Sequence, residues 1–432
     1  FNTDEVRNAS FAKFFDIRKN NLDKIKEISP DLIGFSVYTQ DYQYALSFAR
    51  MIKEKLPDVL IIFGGIHCIL CPEQVSKENC IDMICIGEGE ETIVEVARQA
   101  WKEPFDNIKN LWFRRDNQIF KNPPRPLIQD LDNLPFIDRD ILYEQKPVFK
   151  KDLSISTGRG CPYQCTFCCS SALSEVYRSQ KLGKYIRQRS VASVLSELTL
   201  CKRKYSPSSV YFTDDVFTLS VDWLSRFASE YKRCIALPFY CTANPGTIKD
   251  EELTLLKYAG CQMIGFGMQS CDEEYRKTYL KRGGTNDRIK RVAEICHNLG
   301  IHFSFDHIFN LPLEKIENQM EALEFYNETR PDIINTFDMT YLPKIELNKY
   351  LNENTRKDVE NGKVRTDMYN RQRNAYVSIF SYLPLFPMQF IRYIHIHNFG
   401  KNILLPFWLR LLLKDIKRLT IGRYSDVFFP IR

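Results

Sequence analysis

Short apolar runs alternate with stretches whose apolar residues fall at helical spacing, from residue 32 to residue 341. The first runs are LIGFSVY (32–38), VLIIFGG (59–65) and DMICIGEGE (82–90). A helical pattern covers 42–54, a short helix follows Gly65, and another starts near Glu91. Runs that are apolar without a break predict parallel strands buried on both faces. With helices between them they predict an α/β, doubly wound (Rossmann-like) sheet. Two of the loops after these strands carry glycine, Gly64-Gly65-Ile66-His67 and Gly87-Glu88-Gly89-Glu90. Ligands of such sheets bind at the carboxyl ends of the strands, where these loops lie.

Residues 108–121 predict a β-hairpin around Asp116-Asn117, and the proline-rich stretch 122–140 predicts a domain boundary. A second alternation begins at 153. Its strands are LSIST (153–157), SVYFT (209–213), FYCTA (239–243), MIGFG (263–267), HFSFDHIF (302–309) and IINTFDMTY (333–341). Helical stretches lie near 190–204, 220–233, 249–258, 286–299 and 314–329. This predicts a partial six-unit (β/α) barrel, short of the eight units of a full one. The expected organisation is a front domain over 1–125, a linker over 126–150, the barrel over 151–345 and an α-rich C-terminal extension over 346–432.

Composition narrows the class. A hydrophobic content of 44% and a charged content of 26% suit a soluble globular protein. No run reaches the ~18 to 20 apolar residues of a membrane span. The 14 cysteines are scattered over 432 residues rather than packed into a small secreted scaffold, which points to the reducing cytoplasm. The chain opens on Phe1, so its native start is expected further upstream. The net charge of +6 is uneven: residues 346–432 carry fifteen Lys/Arg against seven Asp/Glu, and the body is slightly acidic. That distribution excludes a broad basic cleft for nucleic acid. In the tail, Leu405, Trp408, Leu412, Ile416 and Leu419 share one helical face, and Arg410, Lys414, Lys417 and Arg418 the other. Such a basic amphipathic helix either docks on the barrel or lies on a membrane surface, a peripheral contact. The pair His395 and His397 is assigned no metal.

The candidate chemistry lies directly after the first barrel strand, in GRGCPYQCTFCC (158–169). Cys161, Cys165 and Cys168 are spaced Cys-x3-Cys-x2-Cys. Three thiolates on one loop suit three irons of a cubane cluster, leaving the fourth iron without a protein ligand. A structural zinc site wants a fourth ligand, Cys169 is adjacent to Cys168, and no histidine is near. A disulfide suits neither compartment nor geometry. Cys68, Cys71, Cys80 and Cys85 offer a second cysteine group, but Cys85 sits in mid-strand, against convergence on a metal.

The motif after the first strand of a six-unit barrel resembles the radical S-adenosylmethionine (SAM) family. The resemblance implies that Cys161, Cys165 and Cys168 hold a catalytic 4Fe-4S cluster whose open iron binds SAM. One-electron reduction then cleaves SAM to methionine and a 5'-deoxyadenosyl radical. It places Phe167 beside the adenine and makes Glu197, Asp214, Asp215, Gly265 and Gln269 candidate contacts to SAM or substrate. Gln269 departs from the family, which often has Glu there. An electron donor such as flavodoxin or ferredoxin is implied.

The front domain resembles the cobalamin-binding domain that precedes many such barrels, with a strand and a helix expected to be missing at its start. Ser36, Thr39, Gly64, Gly65, His67, Gly87, Glu88 and Gly89 are the candidate cobalamin contacts. The joint resemblance implies a cobalamin-dependent radical SAM methyltransferase acting on an unactivated carbon or phosphorus of a small-molecule, lipid or peptide substrate. The alternatives are a radical SAM cyclase or rearrangement enzyme without net methyl transfer, and a non-catalytic cobalamin or redox sensor. Methylthiolation of tRNA or protein would call for a second three-cysteine cluster domain in front, where this chain has the sheet.

Overall fold

The computed structural model describes residues 17–99, 102, 104–360, 380 and 383–389. A helix, α1 (Ile17–Ile28), comes first. A helix is thus present where one is expected to be missing; polar residues dominate it, and among its described side chains only Leu22 is deeply buried. The front sheet follows: β1 (Leu32–Ser36), α2 (Tyr42–Lys55), β2 (Leu60–Gly64), α3 (Ile66–Leu70), α4 (Pro72–Val75), β3 (Met83–Cys85), α5 (Glu90–Arg98), β4 (Leu111–Arg115) and β5 (Gln118–Lys121). The five strands lie in chain order. β1, β2 and β3 are parallel, and β4 and β5 close the edge as an antiparallel hairpin.

Alternation along β2 explains the burial on both faces. Ile61 and Phe63 pack with Ala45, Leu46, Ala49 and Ile52 of α2. Ile62 faces the other way, with Met83, Cys85 and Val96 of α5. Because β1 to β3 run parallel, the loops after all three gather at one edge.

A short helix, α6 (Asp140–Gln145), lies in the linker. The second unit holds β6 (Asp152–Ile155), β7 (Gly158–Arg159), α7 (Cys169–Ser179), β8 (Arg187–Gln188), α8 (Val191–Tyr205), β9 (Ser209–Phe212), α9 (Val221–Cys234), β10 (Phe239–Ala243), α10 (Asp250–Ala259), β11 (Cys261–Gln269), α11 (Glu273–Thr278), α12 (Asn286–Leu299), β12 (His302–Phe309), α13 (Ile316–Thr329) and β13 (Ile333–Asp338). A further helix, α14 (Glu353–Glu360), comes after them.

Six strands form one sheet, β6-β9-β10-β11-β12-β13, parallel throughout. Its outer face carries the main core, where Phe212, Phe217, Phe227, Tyr231 and Phe239 stack edge to face under α9. Serine or threonine side chains cap α8, α9 and α12 at Ser190, Ser220 and Thr285. Gly260 and Gly300 end α10 and α12 in left-handed turns. The fold is the expected Rossmann-like sheet followed by a partial parallel barrel. Among the described residues no helix is long and apolar enough to cross a membrane. The amphipathic segment 403–419 and the pair His395/His397 lie outside the described residues.

Candidate functional site

The three-cysteine loop starts from β7, whose two residues pair antiparallel with β8. Gly160 turns the chain with φ +89°, and a Cβ there would sit 2.5 Å from the Tyr185 carbonyl oxygen. Only glycine suits that turn. Cys168 caps α7, its Sγ accepting from the Ser170 amide at 3.4 Å. Between the cysteines, Thr166 anchors the loop: its Oγ1 donates to the Tyr279 carbonyl (2.6 Å) and its amide to the Leu280 carbonyl (3.2 Å). Cys165 is buried and receives Nη1 of Arg282 at 3.5 Å.

All three thiols are free. Burial pushes Cys161 up to about 12, with the charges of Asp215, Cys168 and Cys165 adding to it. Burial also raises Cys165, and Arg282 pulls it part of the way back. Among the described residues no three His, Cys, Asp or Glu side chains converge on a single ion position. A cubane takes one thiolate at each of several irons, which three thiols on one loop can supply.

Around this loop stand the other barrel candidates. Phe167 is half-buried and packs into the cluster of Leu173, Tyr177 and Tyr341. Asp214 is buried at the end of β9 and accepts from the Thr157 amide (2.9 Å) and hydroxyl (2.9 Å). Burial lifts its carboxyl to about 6, against the pull of those bonds. Asp215 accepts from Ser170 at 3.3 Å, and Ser170 also meets the Tyr185 hydroxyl at 2.9 Å. Gly265 lies inside β11, paired with Thr242 and Ser304. Gln269 ends β11 with φ +72°, where the register slips.

Glu197 is placed differently from the expectation. Its oxygens are taken by Arg139 of the linker (2.7 Å) and by Arg189 (2.6 Å), and its side chain is 3% exposed. The carboxylate pins the linker to α8.

The front-domain candidates gather at one edge. Ser36 pairs with Gly64 at the strand ends and is exposed. Gly65 takes φ +94°, and a Cβ there would meet the Val37 nitrogen at 2.7 Å. A Cβ at Gly87 would strike the Asn110 amide at 2.5 Å, while Gly89 has ordinary room. His67 corrects the expectation that it faces a ligand. α3 begins at Ile66 and turns the ring inward, fully buried, 4.1 Å from the Tyr42 ring. Its Nδ1 meets the hydroxyl of Thr39, also buried, at 3.2 Å. Burial lowers its pKa to about 4, and Nε2 has no partner among the described residues.

Glu88 is the second correction in this loop. Its carboxylate accepts from Arg187 at 2.9 Å on both oxygens, from Arg159 at 2.7 Å and from the Ile128 amide at 2.7 Å. Arg159 also reaches Glu90 at 2.5 Å. Burial alone would raise the Glu88 carboxyl, but the two guanidiniums and the amide more than offset it, so it titrates below the usual range. Glu88 is thus a fastener between the front sheet and β7, two residues before Cys161. α3 and α7 pack together beside it. The carboxyl edge of the front sheet and the cysteine loop therefore face each other.

Sequence reasoning missed Arg159, Arg187, Arg282 and Asn110. Arg159 is part of the Gly158–Cys169 stretch itself, and a charge beside the cysteines is its signal in the sequence. Asn110 donates to the Glu88 carbonyl (3.1 Å) and accepts from the Arg125 amide (2.6 Å), which shapes the Gly87–Glu90 loop from 20 or so residues away. The four cysteines Cys68, Cys71, Cys80 and Cys85 are buried free thiols within apolar clusters.

Comparison with known proteins bears on both units. The Radical SAM superfamily model matches residues 155–326, and the B12 binding domain model matches residues 14–97. An uncharacterized methyltransferase of Pyrococcus horikoshii is 27% identical over 76% of this chain and 70% of its own length. The anaerobic magnesium-protoporphyrin IX monomethyl ester cyclase of Rubrivivax gelatinosus is 25% identical over 77% of this chain. The chain spans 62% of that relative's length. Among solved structures, the radical SAM methyltransferase TsrM of Kitasatospora setae superposes with a TM-score of 0.61 at 18% identity, over 78% of this chain and 67% of its own. The cobalamin-dependent SAM radical enzyme OxsB, with aqua-cobalamin bound, gives 0.64 at 17% identity, over 83% of this chain and 59% of its own. These two likenesses are of fold. With both domain models matched in this order, the chain belongs to the radical SAM superfamily and is an enzyme of the kind that carries a B12-binding domain in front.

Proposed function

We propose that this chain is a cobalamin-dependent radical SAM methyltransferase acting on an unactivated carbon or phosphorus of a small-molecule substrate. The observation that supports this is the facing of two edges. The glycine loops after β2 and β3 stand against the three-cysteine loop, fastened by Glu88, Arg159 and Arg187. Cys161, Cys165 and Cys168 are the proposed ligands of the 4Fe-4S cluster. Phe167, Asp214, Asp215, Gly265 and Gln269 are proposed to line the SAM side. Ser36, Gly64, Gly65, Gly87 and Gly89 are proposed to line the cobalamin side, mostly as backbone. When bound, the cluster and SAM supply a one-electron cleavage and cobalamin a methyl carrier.

This chain's own residues then have defined tasks. The buried thiols must lose their protons on taking iron, so cluster assembly releases protons and is favoured by higher pH. Thr166 and the Tyr279–Leu280 carbonyls fix the loop in advance. Asp214 ties the ends of β6 and β9 through Thr157. The fasteners set the distance between the two edges, which a group transfer across them requires.

The test uses anaerobically reconstituted protein with cobalamin, methyl-labelled SAM and a reductant. Deoxyadenosine together with label in the cobalamin fraction supports the methyltransferase. Deoxyadenosine without label moves the assignment to a cyclase, a reading supported by the likeness to the Rubrivivax gelatinosus enzyme. Neither product would favour a sensor. Cys161→Ala should abolish deoxyadenosine formation; retained formation removes the cluster from this loop. A flavodoxin or ferredoxin is the proposed donor. The segment from 403 onward is proposed to touch membrane, and its deletion should then release the protein from anionic liposomes; unchanged partitioning ends that idea.

A further inference from the structure

Arg282 lies in the loop after α11. Its Nη1 donates to Cys165 Sγ at 3.5 Å, and its Nε donates to the Gly267 carbonyl at 2.7 Å. One guanidinium therefore spans from the cysteine loop to β11. Gly267 makes room for it. A Cβ at 267 would lie 2.7 Å from Arg282 Nη2 and 2.6 Å from Gln269 Nε2. Arg282 and Gln269 thus crowd over the same glycine. A carboxylate at 269 would pair with the guanidinium, but the amide of Gln269 carries no charge. Among the described residues no carboxylate forms an ion pair with Arg282, whereas its neighbour Lys281 is paired with Glu346.

The loop that carries Arg282 is held on both sides. Arg276, almost fully buried, donates to the Ser270 carbonyl (2.8 Å) and to Asn286 Oδ1 (2.7 Å). The Tyr279 and Leu280 carbonyls bind Thr166, next to Cys165. The guanidinium and the thiol are therefore placed by the same stitching.

We propose that Arg282 sets the reduction potential of the iron–sulfur cluster by holding a cation on the Cys165 ligand, and that the neutral Gln269 leaves that cation uncompensated. The inference rests on the reading of the cysteine loop as the cluster site. Reduction adds one electron from the external donor and breaks no bond. The reduced cluster is more negative by one charge, so a cation donating to a ligand sulfur favours it and raises the potential. Arginine suits the task because it stays charged in a partly buried site.

The experiment is a redox titration of reconstituted protein without SAM, poised with titanium(III) citrate and followed by the electron paramagnetic resonance signal of the reduced cluster. Arg282→Met should shift the one-electron equilibrium about tenfold against reduction, ~59 mV to lower potential. Gln269→Glu should move it the same way by less, through an ion pair that draws the guanidinium off the thiol. Gly267→Ala should act likewise by displacing both side chains. Arg282→Lys should recover part of the potential. Wild-type midpoints in Arg282→Met and Gln269→Glu alike would overturn the proposal while leaving the cluster in place. If Arg282→Met binds no iron, Gln269→Glu decides, since it retains the cysteines and Arg282. A wild-type protein that yields no reduced signal after reconstitution sinks the cluster reading and this proposal with it.

Discussion

The loop after β7 and the loops after β2 and β3 stand edge to edge but spend their side chains in different ways. In the cysteine loop the three thiols are free and lightly held: Arg282 and the Ser170 amide reach Cys165 and Cys168, Cys169 meets Cys168, and the Tyr163 amide meets Cys161. In the front loops the polar side chains are already engaged: Glu88 by two arginines, His67 by Thr39 and Tyr42. What the front loops offer a ligand is backbone and the absence of side chains at glycines. A metal cluster is bound through side chains and so leaves a spacing in the sequence. A broad, flat ligand is bound through shape, and its loops mislead a reader who looks for functional groups.

The hardest blow to the front loops is therefore a side chain where none fits. Gly65→Val introduces a Cβ 2.7 Å from the Val37 nitrogen and 2.9 Å from its oxygen. It also forces a branched residue to φ +94° and ψ −176°, a region open to glycine alone. We expect a loss of about 3 kcal/mol or more, read as a lower urea midpoint, and cobalamin binding lost with it. A wild-type midpoint would show that the turn relaxes freely and that shape is not what this loop contributes.

The fastener sharpens the comparison in a second way. Arg187 and Glu88 are 5% and 12% exposed, so removing one leaves the other's charge buried. Arg187→Met should cost about 3 kcal/mol. Glu88→Gln should cost less, because the Ile128 amide and both guanidiniums keep a neutral acceptor. The double variant should recover part of the Arg187→Met loss, which a double-mutant cycle measures. Additive losses would mean that the two do not work as a pair. Arg159 is a third exposed, and its own contribution is discounted for solvent.

Much of this arrangement was legible beforehand. The barrel strands were placed to within a few residues because strands of a parallel sheet buried on both faces are mostly apolar, as in Phe239–Ala243. α12 (Asn286–Leu299) was bounded correctly because Thr285 caps it and Gly300 ends it. The cysteine loop was legible from spacing alone. α1 was not, because its apolar residues are too sparse for a periodic signal. Glu197 and Glu88 were assigned to cofactors because a lone carboxylate in a candidate loop carries no mark of its partner. Of their partners, Arg139, Arg159 and Arg187 lie 58 to 99 residues away in the sequence, and Arg189 lies 8 residues from Glu197.

A third use of polar side chains, neither ligating nor fastening, joins the ends of β11 and β12 to α13 and is read as a pH dependence. Glu314 accepts from Ser270 (2.9 Å) and Gln319 (2.9 Å), Gln319 Oε1 meets His307 Nε2 (2.9 Å), and His307 Nδ1 meets the Tyr326 hydroxyl (2.8 Å). Burial lifts the Glu314 carboxyl to about 8, against the pull of its two donors, and lowers His307 to about 4. In the unfolded chain the carboxyl titrates near ~4.3. Between these values the unfolded chain binds fewer protons at Glu314 than the folded one, so its contribution to stability falls as pH rises and levels off above 8. His307 acts oppositely: below its ordinary range the unfolded chain takes up a proton that the folded one refuses, so its contribution rises with pH. The difference between wild type and Glu314→Gln isolates the carboxyl, since both keep His307. The variant should gain on wild type steadily from pH 5 to pH 8 in urea midpoints. A difference that is the same at every pH would mean that Glu314 ionises in its ordinary range, and that the layer behind the barrel strands is wetter than its packing shows.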